Sequence, residues 1–175
     1  TRAEFLKMAM DSLGIVGHAY RDGECLDATN DDWYCYYLQG ALDKDIIPKE
    51  MIENCNVTKV TKTLAEATDD KKAVTTDVNV YTGKFDGDKP ITREEMAAIA
   101  VRCKNYKMRR LTDWDNERRY PIFSFKDSDE IDEKYISDVV EAYNLNYIDG
   151  MEDGRFAPKE NLTRAQAAVV MNNLK

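Results

Sequence analysis

A four-residue pattern, Thr-Arg-x-Glu/Gln, occurs three times in this 175-residue chain, each time before a segment of helical apolar periodicity. The copies begin at Thr1, Thr92 and Thr163 and read TRAE, TREE and TRAQ. A Thr before a helix accepts a hydrogen bond from the N–H three residues on, and Glu or Gln there returns one to the Thr N–H. Each copy therefore predicts a helix that begins with a capping box.

The arginine of the pattern takes no part in capping. Arg2, Arg93 and Arg164 each stand at the first helical position, where the helix dipole disfavours a cation. Free N–H groups at a helix start, combined with a bidentate guanidinium, form a site that suits a carboxylate or phosphate. The repetition favours anion binding over simple exposure to water.

The chain upstream of the second and third copies also repeats. GKFDGDKPITREE, from Gly83, aligns with GRFAPKENLTRAQ, from Gly154, at an offset of 163 − 92 = 71 residues. Trp33–Ile47 aligns with Tyr135–Asp149, each reading as an aromatic-headed amphipathic helix. One unit therefore reads as a helix, a turn, a Gly-x-Phe stretch, a capping box and a second helix.

These alignments predict three units. Residues 1–24 hold the second half of a first unit and a linker, residues 25–110 a second unit, and residues 111–175 a linker and a third unit. The upstream offset of 135 − 33 = 102 leaves 102 − 71 = 31 extra residues in the second unit, near 49–79. Four residues there alternate as in a strand and predict pairing with part of Val57–Thr63: Val74, Thr76, Val78 and Val80. We expect this insertion to protrude as a separate lobe.

The composition limits the kinds of partner that the chain can bind. Twenty-five Lys and Arg against 33 Asp and Glu give a net charge of −8. So acidic a chain has no basic face for nucleic acid, and anion binding must depend on individually placed arginines. The longest clean apolar run, Met96–Val101, is too short to cross a membrane. A chain that opens on Thr1 inside a motif reads as a piece of a longer protein.

The cysteines and the single histidine form no metal or nucleophile pattern, so we expect no cofactor and no catalytic residue. His18 has no ligand set beside it, and no CxxC pair is present. Cys103 lies on an apolar helix face and is predicted to be buried. Cys25, Cys35 and Cys55 leave one disulfide open, because four cysteines allow three connectivities.

Three stretches of the chain share a pattern: FKDSDEIDEKYISDVVEAYNLNYIDGMEDGRFAPKENLTRAQAAVVMNNL (Phe125–Leu174), KPITREEMAAIAV and TRAEFLKMAM. Through these stretches the chain resembles tandem S-layer homology (SLH) domains of bacterial cell-surface proteins. In the second unit Cys25-Leu26-Asp27 stands where Phe125-Lys126-Asp127 stands in the third, and the Asp-Gly turn is missing.

The resemblance implies a mainly α fold, with pseudo-threefold repeats around a central three-helix bundle and a small β-containing insertion. It implies a secreted, extracellular module that anchors a protein non-covalently to the bacterial cell wall or S-layer. Grooves between adjacent repeats would bind secondary cell-wall polysaccharide through a pyruvylated sugar.

The resemblance implies roles for the residues of this chain that match positions of the family pattern. Arg2, Arg93 and Arg164 would pair with the pyruvyl carboxylate, and Thr1, Thr92 and Thr163 would cap the helices and orient the arginines. The Asp149-Gly150 turn and the aromatic residues Trp33 and Tyr135 would line the groove walls. We expect a monomer without membrane insertion, because the three capped helices can cover one another's apolar faces.

Alternative functions are a calcium-binding module or a protein-interaction module. Asp149, Asp153, Gly154 and Glu160 fall at positions 1, 5, 6 and 12 of an EF-hand-like loop, but Met151 at position 3 offers no oxygen. A glycoside hydrolase would need two carboxylates at a fixed separation, one with a raised pKa. No such pair stands out, so we expect no enzyme in this chain.

Overall fold

The computed structural model of the protein describes residues 1–18, 24–29, 31–65, 74–109 and 125–175. Five α-helices lie in these ranges: α1 (Arg2–Ser12), α2 (Cys35–Leu42), α3 (Arg93–Arg109), α4 (Ile136–Asn144) and α5 (Arg164–Asn173). The strands are β1 (Glu24–Cys25), β2 (Ala28–Thr29), β3 (Glu53–Ala65) and β4 (Val74–Lys84). The predicted mainly α class with a small β part is confirmed. Parts of the predicted linkers lie outside the described residues.

The three Thr-Arg segments all begin helices through capping boxes, as predicted. The N–H groups that donate to the hydroxyls of Thr1, Thr92 and Thr163 belong to Glu4, Glu95 and Gln166, at 3.3, 3.4 and 3.2 Å. The side chains of these Glu and Gln residues accept in return at each cap. Local sequence is therefore sufficient to place the starts of α1, α3 and α5.

The core forms where α1 packs against α2, α3 and α5, and where α3 packs against α4. Phe5 and Leu6 of α1 are 2% and 0% exposed, so its apolar face is covered within one chain. Met8 of α1 and Val169 of α5, although apolar, are 39% and 54% exposed. The monomeric state and the pseudo-threefold arrangement stay predictions.

Strands β3 and β4 form the predicted antiparallel hairpin. Val57 pairs with Tyr81, and Val60 with Val78. The base of this hairpin belongs to the core, because Met51 and Ile52 are 3% and 4% exposed and the Tyr81 hydroxyl donates to the Leu42 carbonyl at 3.3 Å. The expectation of a separate lobe at 49–79 is therefore wrong at the base.

Trimming the hairpin should distinguish its outer part from its base. Replacing residues 59–79 with Asn-Gly leaves Thr58 opposite Val80 across a two-residue turn that favours hairpins. We expect this variant to fold with one cooperative thermal transition. Replacing 49–79 also removes Met51 and Ile52, at about 2–5 kcal/mol for each large core side chain, and should abolish that transition. The melting curves are recorded by near-ultraviolet circular dichroism. Equal melting temperatures for the two variants would contradict this division between the outer part and the base.

In the structure, helices α2 and α4 correspond in a register that differs by one residue from the sequence alignment. Tyr34 precedes α2 as Tyr135 precedes α4, an offset of 135 − 34 = 101 residues. Tyr34 and Tyr135 are 6% and 2% exposed, whereas Trp33 is 52% exposed. The predicted pairing of Trp33 with Tyr135 is therefore wrong, and the insertion has 101 − 71 = 30 residues. Two adjacent aromatic residues at 33 and 34 made the register ambiguous in sequence.

The four cysteines are free thiols. Burial of Cys103 is confirmed at 0% exposure. Burial also raises the pKa of Cys25 to about 12, so this thiol stays protonated near neutral pH. Within the described ranges, no helix has the length and apolar character to cross a membrane.

Candidate functional site

Each Gly-x-Phe loop is held by one carboxylate from the start of its own unit. Asp27 accepts hydrogen bonds from the N–H groups of Phe85 and Asp86, at 2.7 and 2.9 Å. Asp127 accepts from those of Phe156 and Ala157, at 2.8 Å each. Asp86 and Ala157 both have left-handed backbones, with φ of 57° and 58°. The two loops are therefore built alike, and the alignment of Asp27 with Asp127 is confirmed.

Two helices begin against these loops. The N–H groups of Arg2 and Ala3 donate to the carbonyls of Lys89 and Gly87, both at 2.9 Å. Those of Arg93 and Glu94 donate to the carbonyls of Glu160 and Pro158, at 3.1 and 3.2 Å. The acceptors differ by 160 − 89 = 71 and 158 − 87 = 71 residues, which is the repeat offset. Thus α1 begins on the second unit's loop, and α3 begins on the third unit's loop.

The side chain of Arg2 is buried and its charge is neutralised inside the protein. Its Nη1 donates to the Phe85 carbonyl at 2.6 Å, and its Nε donates to the Glu95 carboxylate at 3.1 Å. Nη2 donates to the other Glu95 oxygen, which makes the pair bidentate. Arg2 is 6% exposed. The Arg2 guanidinium is therefore already bound to a carboxylate of the protein.

The side chain of Arg93 is also buried, at 4% exposure, but binds carbonyl groups. Its Nε donates to the Phe156 carbonyl at 2.7 Å and its Nη2 to the Asp149 carbonyl at 2.8 Å. The guanidinium carbon lies 5.1 Å from the centre of the Phe156 ring, a cation–π distance. Burial lowers the pKa of Arg93, opposed by the surrounding acidic residues, of which Glu160 acts most strongly.

Arg164 differs from the other two because it is exposed and lines a cavity between α1 and α5. We name this cavity, of about 460 Å³, the α1–α5 groove. Its walls are Thr1, Glu4, Phe5, Lys7, Met8, Trp33, Ile91, Leu162, Thr163, Arg164, Ala167 and Ala168. The groove therefore combines a mainly apolar floor with two cationic side chains, those of Arg164 and Lys7.

The charged side chains at the groove differ in whether they already have partners within the protein. Hydrogen bonds from the amino group and hydroxyl of Thr1, with a smaller effect of the Arg164 charge, lower the pKa of Glu4. Lys7 forms an ion pair with Asp11, and its Nζ lies 4.9 Å from the centre of the Tyr37 ring. Hydrogen bonds to Asp11 and Tyr37 raise the pKa of Lys7. Arg164 is thus the groove cation whose donors are not engaged by a described residue.

The structure brings only part of the predicted site together. Trp33, Thr163 and Arg164 share the α1–α5 groove with Thr1. Tyr135 is buried, and burial raises the pKa of its hydroxyl.

The other predicted site residues have local contacts elsewhere. Thr92 bridges to Asn161, and the Asp149 carbonyl accepts from Arg93. Gly150 lies against the Phe125 ring, where an added Cβ would come within 2.7 Å of a ring carbon. Ligand contact by these residues stays a prediction.

Sequence reasoning missed Lys7 and Met8 as groove residues. Both lie about one turn after the capping box of α1 and line the same cavity as Arg164. The sequence gives no signal that sets Met8 apart from the buried apolar residues of α1, so only the packing of α5 against α1 identifies it.

In the acidic turn that a calcium-binding module would use, the carboxylates already pair with an arginine side chain of the protein. The Asp153 carboxylate accepts from Arg155 Nε at 2.7 Å, and Glu160 pairs with Nη1 of Arg155 at 3.4 Å. Within the described residues, no cluster of three or more potential metal ligands is found. The geometry therefore does not favour this alternative.

Comparison with protein families matches residues 124–168 to the S-layer homology domain. An amylopullulanase of Thermoanaerobacterium thermosulfurigenes is 32% identical over 174 residues, which is 99% of this chain and 7% of that protein. Exoglucanase XynX of Acetivibrio thermocellus is 32% identical over 177 residues, 99% of this chain and 13% of that protein. An endoglucanase of Bacillus sp. (strain KSM-635) is 37% identical over 102 residues, 56% of this chain and 10% of that protein.

No solved structure gives a significant match. The family match covers α4, the third unit's Gly-x-Phe loop and the first half of α5. Two of these relatives align with nearly the whole chain and the third with 56% of it. The aligned part of the chain spans only 7% to 13% of their length. The chain therefore carries an S-layer homology domain at residues 124–168.

Proposed function

We propose that the chain is a non-covalent cell-wall anchor that binds anionic, pyruvylated secondary cell-wall polysaccharide in the α1–α5 groove. S-layer homology domains are cell-wall anchoring modules of surface proteins, and the match at residues 124–168 supports a bacterial cell-surface location. The similar proteins are named as enzymes, but this chain corresponds to a small part of each. Anchoring is consistent with a segment that makes up so small a part of each protein.

The observation that carries this proposal is the contrast between Arg164 and Arg2. Arg2 holds the Glu95 carboxylate through two parallel hydrogen bonds. Arg164 has the same position in its helix but is exposed. Glu4, which corresponds to Glu95, has an exposed side chain and bonds to Thr1. A pyruvyl carboxylate on a sugar can therefore take the place at Arg164 that Glu95 takes at Arg2.

The rest of the groove suits a sugar. Trp33 is half exposed and packs edge-on against Tyr34, with ring centres 5.5 Å apart, which holds the indole in place. A fixed aromatic ring beside a charged donor offers both an apolar surface for a pyranose ring and a hydrogen-bonding partner for its acid group. Lys7 also lines the groove, but its ammonium group is already paired with Asp11. Of the three arginines, we therefore assign ligand binding to Arg164.

Replacing Arg164 with Ala should weaken binding of purified wall polysaccharide by ~1.5–3 kcal/mol, the usual contribution of a hydrogen bond to a charged group. The melting temperature should hardly change, because the side chain is exposed and opposes the helix dipole. Isothermal titration calorimetry with native polysaccharide, and with polysaccharide freed of pyruvyl groups, measures the effect. The two proteins should bind the depyruvylated polymer equally.

Arg155→Ala is the matched control. It removes the same charge from an exposed Arg that pairs with Asp153, away from the groove. Unchanged affinity in Arg164→Ala, or an equal loss in Arg155→Ala, would show that the groove does not recognise the carboxylate.

A further inference from the structure

The outward side of α2 carries aromatic side chains that continue from the α1–α5 groove. Trp33 lines the groove just before α2, and the backbone of Tyr34 after it is already right-handed helical. Tyr36 and Tyr37 follow Trp33 at spacings of three and four residues, which place all three on one side of the helix. Tyr36 is 41% exposed and Tyr37 is half-buried. We name Tyr36 and Tyr37, which are not walls of the groove, the tyrosine shelf.

The tyrosine shelf is held in place and lies beside the groove. Its two rings pack edge-on, with centres 5.5 Å apart. The Tyr36 ring also lies against the backbone of Gly17, where an added Cβ would come within 2.6 Å of a ring carbon. Lys7, a wall of the groove, holds its Nζ 4.9 Å from the centre of the Tyr37 ring. Exposed rings that are already fixed lose little conformational freedom when a ligand stacks on them.

The fold does not require aromatic residues at these positions. The third unit has three residues at the equivalent positions, 101 residues further on: Lys134, Ser137 and Asp138. None of these is aromatic, and Asp138 is buried and accepts from Arg102 Nη2 at 2.9 Å. Helix α4 nevertheless packs against α3 as α2 packs against α1. The exposed tyrosines of α2 therefore point to a role other than packing.

We propose that the tyrosine shelf is a second sugar-binding site, which holds an uncharged pyranose next to the acid-bearing sugar in the α1–α5 groove. This inference rests on the proposed function and adds a neighbouring sugar to its ligand. The C–H groups on the face of a pyranose ring suit an exposed aromatic ring, and the phenolic hydroxyls can bond to sugar hydroxyls. About 5.4 Å, one helical turn, separates Trp33 from Tyr37 along the helix, comparable with the spacing of neighbouring rings in a polysaccharide.

The charges favour an uncharged sugar at the shelf. Lys7 contacts the shelf, but its ammonium group already pairs with Asp11. A second sugar carboxylate there would find no free ammonium in this contact and would lie near the Asp11 carboxylate. Arg164, in contrast, lines the groove with donors that no described residue engages. The arrangement therefore suits a polymer in which one acid-bearing sugar has an uncharged neighbour.

The size of the shelf also favours a sugar over a protein partner. Stable protein interfaces bury roughly 800 Å² on each partner. Two partly exposed rings supply much less than this, because a whole aromatic side chain buries about 150–250 Å². A single pyranose ring, in contrast, is of a size that two adjacent tyrosine rings can cover.

The test compares two synthetic ligands by isothermal titration calorimetry. One is a pyruvylated monosaccharide, and the other is a trisaccharide in which an uncharged sugar stands on each side of that monosaccharide. The parent protein should bind the trisaccharide about tenfold more tightly than the monosaccharide. Tyr36→Ala should weaken trisaccharide binding about tenfold, to the level of the monosaccharide. Tyr36→Phe keeps the ring and should retain most of the gain.

Tyr143→Ala is the matched control. Tyr143 is 37% exposed on α4, and its ring packs edge-on against Phe125 with centres 5.0 Å apart. This variant should bind both ligands as the parent protein does. A loss of trisaccharide affinity in Tyr143→Ala equal to that in Tyr36→Ala would overturn the assignment of the shelf.

The monosaccharide separates this inference from the proposed function. Equal affinities of the parent protein for the two ligands would overturn the second site and leave the groove intact. An equal loss for both ligands in Tyr36→Ala would also overturn it, because Tyr36 would then support the groove itself. Failure of the parent protein to bind either ligand would overturn the proposed function together with the shelf. Self-association that Tyr36→Ala abolishes in sedimentation equilibrium would assign the shelf to a second copy of the chain instead.

Discussion

Replacing Arg2 with Ala is expected to lower the free energy of unfolding by about 3–5 kcal/mol, because it leaves the buried Glu95 carboxylate without its partner. The pair is bidentate, and both side chains are 8% exposed. Arg2 also donates to the Phe85 carbonyl, which would lose a donor. Urea denaturation of the variant and the parent protein at neutral pH measures the difference.

Two further variants identify the cause. Arg2→Met combined with Glu95→Leu removes both charges and should recover much of the stability, because well-packed apolar residues often replace a buried ion pair at little cost. Arg164→Ala deletes the equivalent residue on α5 and should change stability by less than about 0.5 kcal/mol, as exposed surface substitutions usually do. Equal losses in Arg2→Ala and Arg164→Ala would refute the contrast between buried and exposed members of the motif.

Asp127→Ala should lower the free energy of unfolding by about 2–6 kcal/mol, because two buried N–H groups lose their acceptor and each unsatisfied group costs roughly 1–3 kcal/mol. Asp127 is 5% exposed and binds the N–H groups of Phe156 and Ala157, so no water easily replaces it. Asp127→Asn retains one acceptor oxygen and should be intermediate. Thermal unfolding by calorimetry gives the order of the three proteins.

Asp27→Ala is the matched variant in the second unit. Asp27 makes the same two bonds but is exposed, and Asp86, which carries one of the two donor N–H groups, is only half-buried. Water can replace part of this interaction, so the loss should be smaller than for Asp127→Ala. A larger loss in Asp27→Ala would mean that burial does not set the strength of these loop clamps.

Local patterns predicted much of the fold. The capping boxes, the pairing of β3 with β4 and the burial of Cys103 each follow from a few neighbouring residues. The register between α2 and α4 was missed by one residue, because Trp33 and Tyr34 are both aromatic and only packing shows which one is buried.

The candidate site was less predictable, because the three arginines share a sequence position and differ in surroundings. The Arg2 guanidinium binds a carboxylate and a carbonyl, and that of Arg93 binds two carbonyls and contacts an aromatic ring. Arg164 lines a groove. These partners come from units distant in sequence, so the motif alone does not tell whether its arginine holds the protein together or faces a ligand. Glu95 illustrates the difficulty, since it is at once the capping residue of α3 and the partner of Arg2.

The starts of α1 and α3 each bind the loop of the following unit, and this has a consequence for how the chain can be divided. A cut at the sequence boundary before residue 111 would separate the N–H groups of Arg93 and Glu94 from the carbonyls of Glu160 and Pro158. It would also remove the Lys159 ammonium from the buried Glu94 carboxylate, which it meets at 2.7 Å. An excised third unit would keep its Gly-x-Phe loop but lose the helix that the loop secures. Modules designed by moving single sequence repeats between proteins would therefore sever the bonds between a loop and its bound arginine. Boundaries placed inside a repeat, between its loop and its capped helix, would keep these bonds but separate Arg2 from Glu95.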